Sequence, residues 1–224
     1  MKTKVEWFGQ LGNTSIYNLP LYPPKPVIPY MLQKYGKIHY FSCPAMTDRF
    51  KNTYYILSPF DFTLKKNNDG SWISNNEFID VNHYKDENLN DGYSLITTPL
   101  HYYFMTKTKN VLMEIIQPPF VELPFFQVEG EFNINKLVRP SVFTFFPNKD
   151  VDTIRIKRGD PIQAVRFRTN NKVTLDEIVS FDRMERIDKA AYQIIYYKRI
   201  TQATKLETLY KKFEKNMKQL WKNR

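Results

Sequence analysis

Apolar and polar positions follow two different periods along the chain, and the change falls near residue 182. Before it, apolar residues occur in short runs or alternate with polar ones, as over residues 60–65, which is typical of half-buried strands. After it, they recur every three or four residues, as in helices that bury one face. We therefore predict a mainly β domain of the α+β class over residues 1–180 and a basic α-helical hairpin over residues 181–224.

The predicted strands are short and are separated by turn signals. Residues 52–57 are rich in β-branched and aromatic side chains, and Asp69-Gly70 predicts a hairpin turn between residues 60–65 and a strand that begins at Trp72. Further strands are predicted at residues 93–97, 102–105, 111–117, 125–131, 141–146, 153–157 and 162–167. About nine or ten short strands with turns between them predict a barrel or a sandwich.

The segment at residues 20–29 carries five prolines. Proline lacks a backbone N–H and fixes φ, so we expect neither a helix nor a central strand there. Leucine, tyrosine, valine and isoleucine interleave with the prolines, which favours an extended N-terminal arm packed on the domain. The PxxP spacing leaves a proline-binding partner as the alternative.

Two apolar stripes at helical spacing define the predicted hairpin. They are formed by Met184, Ile187, Ala190, Ala191, Ile194 and Ile195, and by Leu206, Leu209, Tyr210, Phe213, Met217, Leu220 and Trp221. The break is predicted at residues 201–204, with Thr204 as the N-cap and Glu207 at the capping-box spacing. Each stripe needs a surface to cover, which is either the β domain or another chain.

The net charge of +10 is concentrated in the C-terminal third of the chain. Residues 1–150 have 15 Lys and Arg against 14 Asp and Glu, whereas residues 151–224 have 18 against 9. This asymmetry predicts an acidic partner, which is nucleic acid, a phosphorylated ligand or an acidic protein. A solvated lysine-rich helix explains the same charge equally well.

The composition excludes several classes of protein. With 42% hydrophobic residues the chain is not disordered over most of its length. It has no run of about 18 apolar residues and no apolar N-terminal stretch, so we expect no membrane contact, no secretory signal and a cytoplasmic location. The lone Cys43 excludes an internal disulfide, and three histidines with one cysteine lead us to expect neither a metal nor another cofactor.

Residues 96–168 contain a Thr98-Pro99 turn followed by two glycine-led turns that precede strands. The glycine-led turns are Gly130-Glu131-Phe132-Asn133 and Arg158-Gly159-Asp160-Pro161. In this order the motifs resemble the β-clip core shared by dUTPases and dCTP deaminases. The resemblance implies a dUTPase-like barrel or sandwich, often trimeric, with a ligand pocket lined by Thr98, His101, Asn133 and Asp160.

The resemblance does not extend to the catalytic groups of those enzymes. Their aspartate of the first turn is matched by Asn133, which cannot act as a carboxylate base. Their deoxyribose-packing tyrosine is matched by Lys136, and the Pro-Arg-Ser-Gly motif and the glycine-rich lid are absent. We therefore expect no catalytic residue and a non-enzymatic protein. A divergent nucleotide-processing enzyme that uses other residues is the alternative.

Residues 20–168 also resemble a bacterial and phage protein family that has no established activity. The shared features are Pro24-x-x-x-Ile28-Pro29, Cys43-Pro44 with Asp48 and Tyr54, Thr98-Pro99, Phe145-Phe146 and the Gly-Asp-Pro-Ile turn. This resemblance implies a phage-type binding or assembly protein, present in the host cytoplasm or the virion, which binds a nucleotide or a protein partner and forms an oligomer.

A cluster of basic residues follows the second turn. Its members are Arg155, Lys157, Arg158, Arg166, Arg168, Lys198 and Arg199. If the strands at 153–157 and 162–167 pair as a hairpin, alternate arginines share a face and form a stripe that could bind phosphates or a nucleic-acid backbone. Ion pairing with acids of the same domain is the alternative.

We expect Cys43 to be a buried small hydrophobic residue.

Overall fold

The computed structural model of the chain describes residues 2–12, 21–76, 79, 81–85, 94–201 and 205–222. Strands are the main element of the described residues, so the prediction of a mainly β protein with a C-terminal helical region is confirmed. The strands are β1 (Lys2–Leu11), β2 (Lys25–Pro26), β3 (Thr53–Leu57), β4 (Phe62–Lys66), β5 (Trp72–Ser74), β6 (Asn82–Lys85), β7 (Ser94–Met105), β8 (Leu112–Ile116), β9 (Phe125–Gln127), β10 (Gly130–Asn133), β11 (Pro140–Pro147), β12 (Thr153–Ile156), β13 (Pro161–Arg168) and β14 (Lys172–Glu177). The helices are α1 (Val27–Tyr35), α2 (Pro44–Phe50), α3 (Phe181–Thr201) and α4 (Leu206–Lys222).

The described strands form three sheets. The first has the order β14-β1-β7-β11-β9, with β6 also paired to β7. The second has the order β10-β8-β13-β3-β2, and the third has the order β12-β4-β5. β1 and β14 pair in parallel, and the other described pairs are antiparallel.

The two larger sheets pack face to face over an aromatic core. Trp7 and Phe104 of the first sheet meet Tyr54 and Phe167 of the second, and the rings of Phe104 and Phe167 lie edge to face with centroids 5.5 Å apart. β3 is buried along its whole length because its other face is covered by α1 and α2. This double burial explains its continuous apolar sequence.

The expectation that the prolines of residues 20–29 exclude a helix is wrong. α1 begins at Val27, and Pro29 lies in its first turn. Backbone N–H groups in a first turn have no acceptor within the helix, so a proline there costs no helical hydrogen bond. Pro20 lies outside the described residues.

β7 is one strand where the sequence predicts two. It runs for 12 residues and continues through Pro99. Residue 93, at which the first of the two predicted strands begins, lies outside the described residues. The register of β7 against β11 shifts between Val142 and Thr144, opposite this proline, and the pairing of β7 with β1 ends at Leu100. Pro99 therefore occupies an irregularity at which its missing N–H interrupts no regular ladder.

Both C-terminal helices pack on the sheets of their own chain. The buried residues that they share with the first sheet and the loop after β10 are Phe8, Tyr103, Met105, Leu137, Val138, Ile187, Ala191, Ile194, Leu209, Phe213 and Met217. The stripes predicted from the helical period therefore cover the β region. The predicted N-cap Thr204 lies outside the described residues.

Candidate functional site

The four residues that are predicted to line a ligand pocket each contact a different part of the structure. Thr98 is buried in β7 and its hydroxyl donates to the carbonyl of Phe143 at 3.2 Å. The Asp160 carboxylate accepts the backbone N–H of Lys157 at 2.8 Å, in the turn before β13. Gly159 in that turn has a φ of +87°, as predicted for a tight reversal.

Asn133 is hydrogen-bonded to a residue of α4, whereas His101 lies beside a tyrosine that is hydrogen-bonded to α3. The Asn133 side chain accepts the N–H of Asn135 at 2.9 Å, and its backbone N–H donates to the hydroxyl of Tyr210 in α4 at 2.8 Å. His101 lies beside Tyr103, whose hydroxyl donates to Asp188 of α3. In the part of the chain that the structure describes, no hydrogen bond, ion pair or ring contact joins two of the four predicted pocket residues.

His101 couples folding to pH. Burial lowers its pKa below the usual value, and the Asp188 carboxylate offsets part of this effect. The unfolded chain therefore takes up a proton near pH 6.5 that the folded chain does not, so this stability is complete above about pH 6.5 and is lost as the pH falls towards the folded pKa.

We expect His101→Gln to make the free energy of unfolding less dependent on pH between about pH 5.5 and 7.5. The measurement is urea unfolding at both pH values, and the exposed His39→Gln is the matched control. If the wild type and His101→Gln lose equal stability on acidification, burial of the imidazole is not the cause.

The hairpin on which the predicted basic stripe depends is not formed. β12 pairs with β4, so that Arg155 faces Thr63 across the third sheet. β13 pairs with β3 and β8 in the second sheet. Arg155 therefore lies in a different sheet from Arg166 and Arg168, and Lys157 follows just after β12.

Acids and rings of the same chain already engage several of these cations. Arg166 pairs with Glu114, and Arg168 lies 3.2 Å from Glu114 and 3.3 Å from Glu131. Arg158 donates from Nε to the hydroxyl of Tyr22 at 2.6 Å. Lys198 is exposed on α3, and the side chain of Arg199 lies outside the description. These ion pairs agree with the alternative interpretation of the cluster, in which its arginines pair with acids of the same domain.

A concave site lies elsewhere, between α4 and two loops of the β region. Its volume is about 470 Å³. We call it the α4 groove, and it is lined by Lys107, Lys109, Asn110, Asn135 and Lys136 from the loops and by Glu207, Tyr210, Lys211, Glu214, Met217, Lys218 and Trp221 from the helix.

Local hydrogen bonds hold the loops of the α4 groove. The side-chain amide of Asn135 donates to the carbonyls of Thr106 and Lys107, both at 3.3 Å. Asn110 has a φ of +58°, in the left-handed region that asparagine tolerates, and it closes the turn before β8. Asn135 therefore joins the backbones of the two loops that carry Lys107, Lys109 and Lys136 beside the groove.

The charges in the α4 groove do not cancel. Glu207 pairs with Lys211 at 3.4 Å, and Glu214 pairs with Lys218 at 2.7 Å, each one helical turn away. The hydrogen bond from Lys218, with a smaller contribution from Lys136, lowers the pKa of Glu214. Within the described residues Lys107, Lys109 and Lys136 have no carboxylate at ion-pair distance. These three lysines give the groove an excess of positive charge.

Two aromatic rings lie beside these lysines. The Lys107 ammonium is 5.5 Å from the centroid of Trp221, and that of Lys136 is 5.6 Å from the centroid of Tyr210. Both rings are partly exposed, since they lie at the edge of the apolar stripe of α4 whose other members, such as Phe213, are buried against the β region. The groove thus combines cations with flat apolar surfaces.

Comparisons of the sequence with models of protein families and with curated proteins find no match. The resemblances to dUTPases and to the phage family therefore stay predictions. Across the described ranges, no three His, Cys, Asp or Glu side chains are grouped as a metal site would need. None of the helices described there has the length and apolar character needed to cross a bilayer.

Cys43 does not occupy the position that we predict for it. The expectation of a buried small hydrophobic residue is wrong, because Cys43 is exposed just before α2. Pro44 begins that helix and Cys43 precedes it as the flanking residue, so the side chain lies at the surface of the helical segment rather than in a strand.

Proposed function

We propose that the protein is a non-enzymatic binding protein of phage type and that its ligand is single-stranded nucleic acid, bound in the α4 groove. The observation that supports this proposal is the convergence of Lys107, Lys109 and Lys136 with Tyr210 and Trp221. Lysine ammonium groups attract backbone phosphates, and aromatic faces stack on bases of any sequence.

The proposal names a single strand because the aromatic rings lie inside a concave site. A ring can stack only on a base that is unstacked from its neighbours, and in a duplex both faces of each base are already covered. A cavity of about 470 Å³ has room for a base and its sugar but not for the width of a duplex.

A dUTPase-like core and a homo-oligomer belong to the same proposal. The predicted turn at Gly159 leads into β13, whereas the prediction of a turn at Gly130–Asn133 is wrong, because these residues form strand β10 itself. Both strands belong to the second sheet. β8 lies between these two strands and pairs with both. This shared neighbour supports the resemblance.

The test is the affinity for a fluorescently labelled short oligothymidylate, measured by anisotropy between about 50 and 200 mM salt. Each neutralised phosphate of a single strand contributes about −0.7 to the slope of log affinity against log salt, so three to five lysines predict a fall of roughly 20- to 100-fold. A duplex of equal length and an oligomer with an uncharged backbone serve as controls and should bind more weakly. Affinity that is flat over this range, or tighter for the duplex, would refute the proposal.

A further inference from the structure

A second cavity, of about 240 Å³, lies between the two larger sheets where β10 and β11 meet the start of α4. Its apolar walls are formed by Ile115, Val128, Phe132, Val142 and Leu206. Arg139, which directly precedes β11, also lines it. We call it the Arg139 cavity.

Arg139 differs from the other arginines near it in having no anionic partner. Its guanidinium carbon lies 5.2 Å from the ring centroid of Phe132. Over the described ranges, neither a carboxylate nor a hydrogen-bond acceptor of the protein contacts the guanidinium, whereas Arg166 and Arg168 are both ion-paired. Burial lowers the pKa of Arg139 below its usual value, with a small opposing effect from Tyr210. Arg139 is partly exposed at the cavity, and a bound anion would supply the charge partner that the described residues do not.

Two glutamates at the edge of the Arg139 cavity limit which anion suits it. Glu129 accepts the N–H of Gln117 at 3.2 Å, and Glu131 lies 3.3 Å from Arg168. Glu131 is therefore ion-paired, whereas Glu129 accepts a hydrogen bond from a neutral group and keeps its full charge. These carboxylates repel a dianion such as phosphate more strongly than a monoanion. An anion of single charge with an apolar body matches both the guanidinium and the apolar walls.

We propose that the Arg139 cavity binds the carboxylate of a small apolar organic acid. The carboxylate accepts hydrogen bonds from the guanidinium, and the hydrocarbon part packs against Val128, Val142 and Leu206. The cavity has the volume of roughly eight water molecules at about 30 Å³ each, which suits an acid of about six carbons. A free acid and the C-terminal carboxylate of a peptide share this chemistry. The proposal does not depend on the α4 groove.

Amide NMR titrations of the full-length protein with hexanoate test the proposal. We expect saturable shifts at residues 128–132, 139 and 141–144, and affinity at least about tenfold higher than for hexanamide, which has the same shape without the charge. Inorganic phosphate and acetate should bind more weakly than hexanoate. N-acetyl-glycyl-leucine and its C-terminal amide test whether the ligand is the C-terminus of a peptide. If the free acid of this dipeptide binds more tightly than the amide, the cavity accepts a peptide terminus. Equal affinity for hexanoate and hexanamide, or no saturable shift, would overturn the proposal.

Variants locate the site. Arg139→Met should remove the preference for hexanoate over hexanamide, whereas Arg155→Met, an exposed arginine on β12, should keep it. Val142→Phe retains the guanidinium and fills the cavity, so it should also abolish binding, and it serves if Arg139→Met does not fold. Unchanged affinity for hexanoate in Val142→Phe would overturn the proposal.

Discussion

Glu6→Ala is expected to lower the free energy of unfolding by about 3–5 kcal/mol. Glu6 lies in β1 on the face that carries Phe8 towards the helices, and its side chain is only 7% exposed. Its carboxylate accepts from both terminal nitrogens of Arg183 in α3. The variant leaves the Arg183 charge half-buried without this carboxylate, and an uncompensated buried charge costs more than the pair contributes.

The consequence of Glu6→Ala reaches α4. The Arg183 guanidinium lies 5.9 Å from the ring centroid of Trp221, so this ion pair links β1, the first turn of α3 and the last turn of α4. Urea unfolding followed by circular dichroism measures the loss. The matched control is Asp176→Ala, which breaks the exposed pair with Lys4 and should cost no more than about 1 kcal/mol. Equal losses in the two variants would show that burial of the pair does not matter.

Local patterns in the sequence predicted most of the elements, because the period of two and the helical period are properties of short segments. The strands at residues 52–57 and 141–146 and both C-terminal helices follow from them. β1 was not predicted as a full strand, because Glu6 and Gln10 lie on one of its buried faces and interrupt the apolar pattern. Their partners, Arg183 and Tyr103, come from distant parts of the chain.

The candidate site could not be predicted from sequence for a related reason. The basic cluster was inferred from neighbours in sequence, but Arg166 and Arg168 are paired with glutamates from β8 and β10. Lys107 and Lys136 lie in the part of the chain whose charge is nearly balanced. Only the docking of α4 on the β region places them beside the aromatic rings of the groove. The sequence indicated a basic C-terminal segment but not the loops that face it.

The central claim is that a single strand binds in the α4 groove, and the lysines of its loops test it most directly. We expect the triple variant Lys107→Gln, Lys109→Gln, Lys136→Gln to weaken oligothymidylate binding on the order of 100-fold at about 0.1 M salt, because three fewer phosphates are neutralised. The slope of log affinity against log salt should become about 2 less steep. All three lysines are exposed and none forms an ion pair within the described residues, so folding should be preserved.

A control of equal charge makes this measurement decisive. Lys65, Lys157 and Lys172 are also exposed, and none of them lines the groove. If the strand binds in the α4 groove, replacing these three with glutamine changes affinity and slope much less than the triple variant of the groove does. If both variants weaken binding equally, or if the groove variant binds as the wild type does, the oligonucleotide does not occupy the α4 groove.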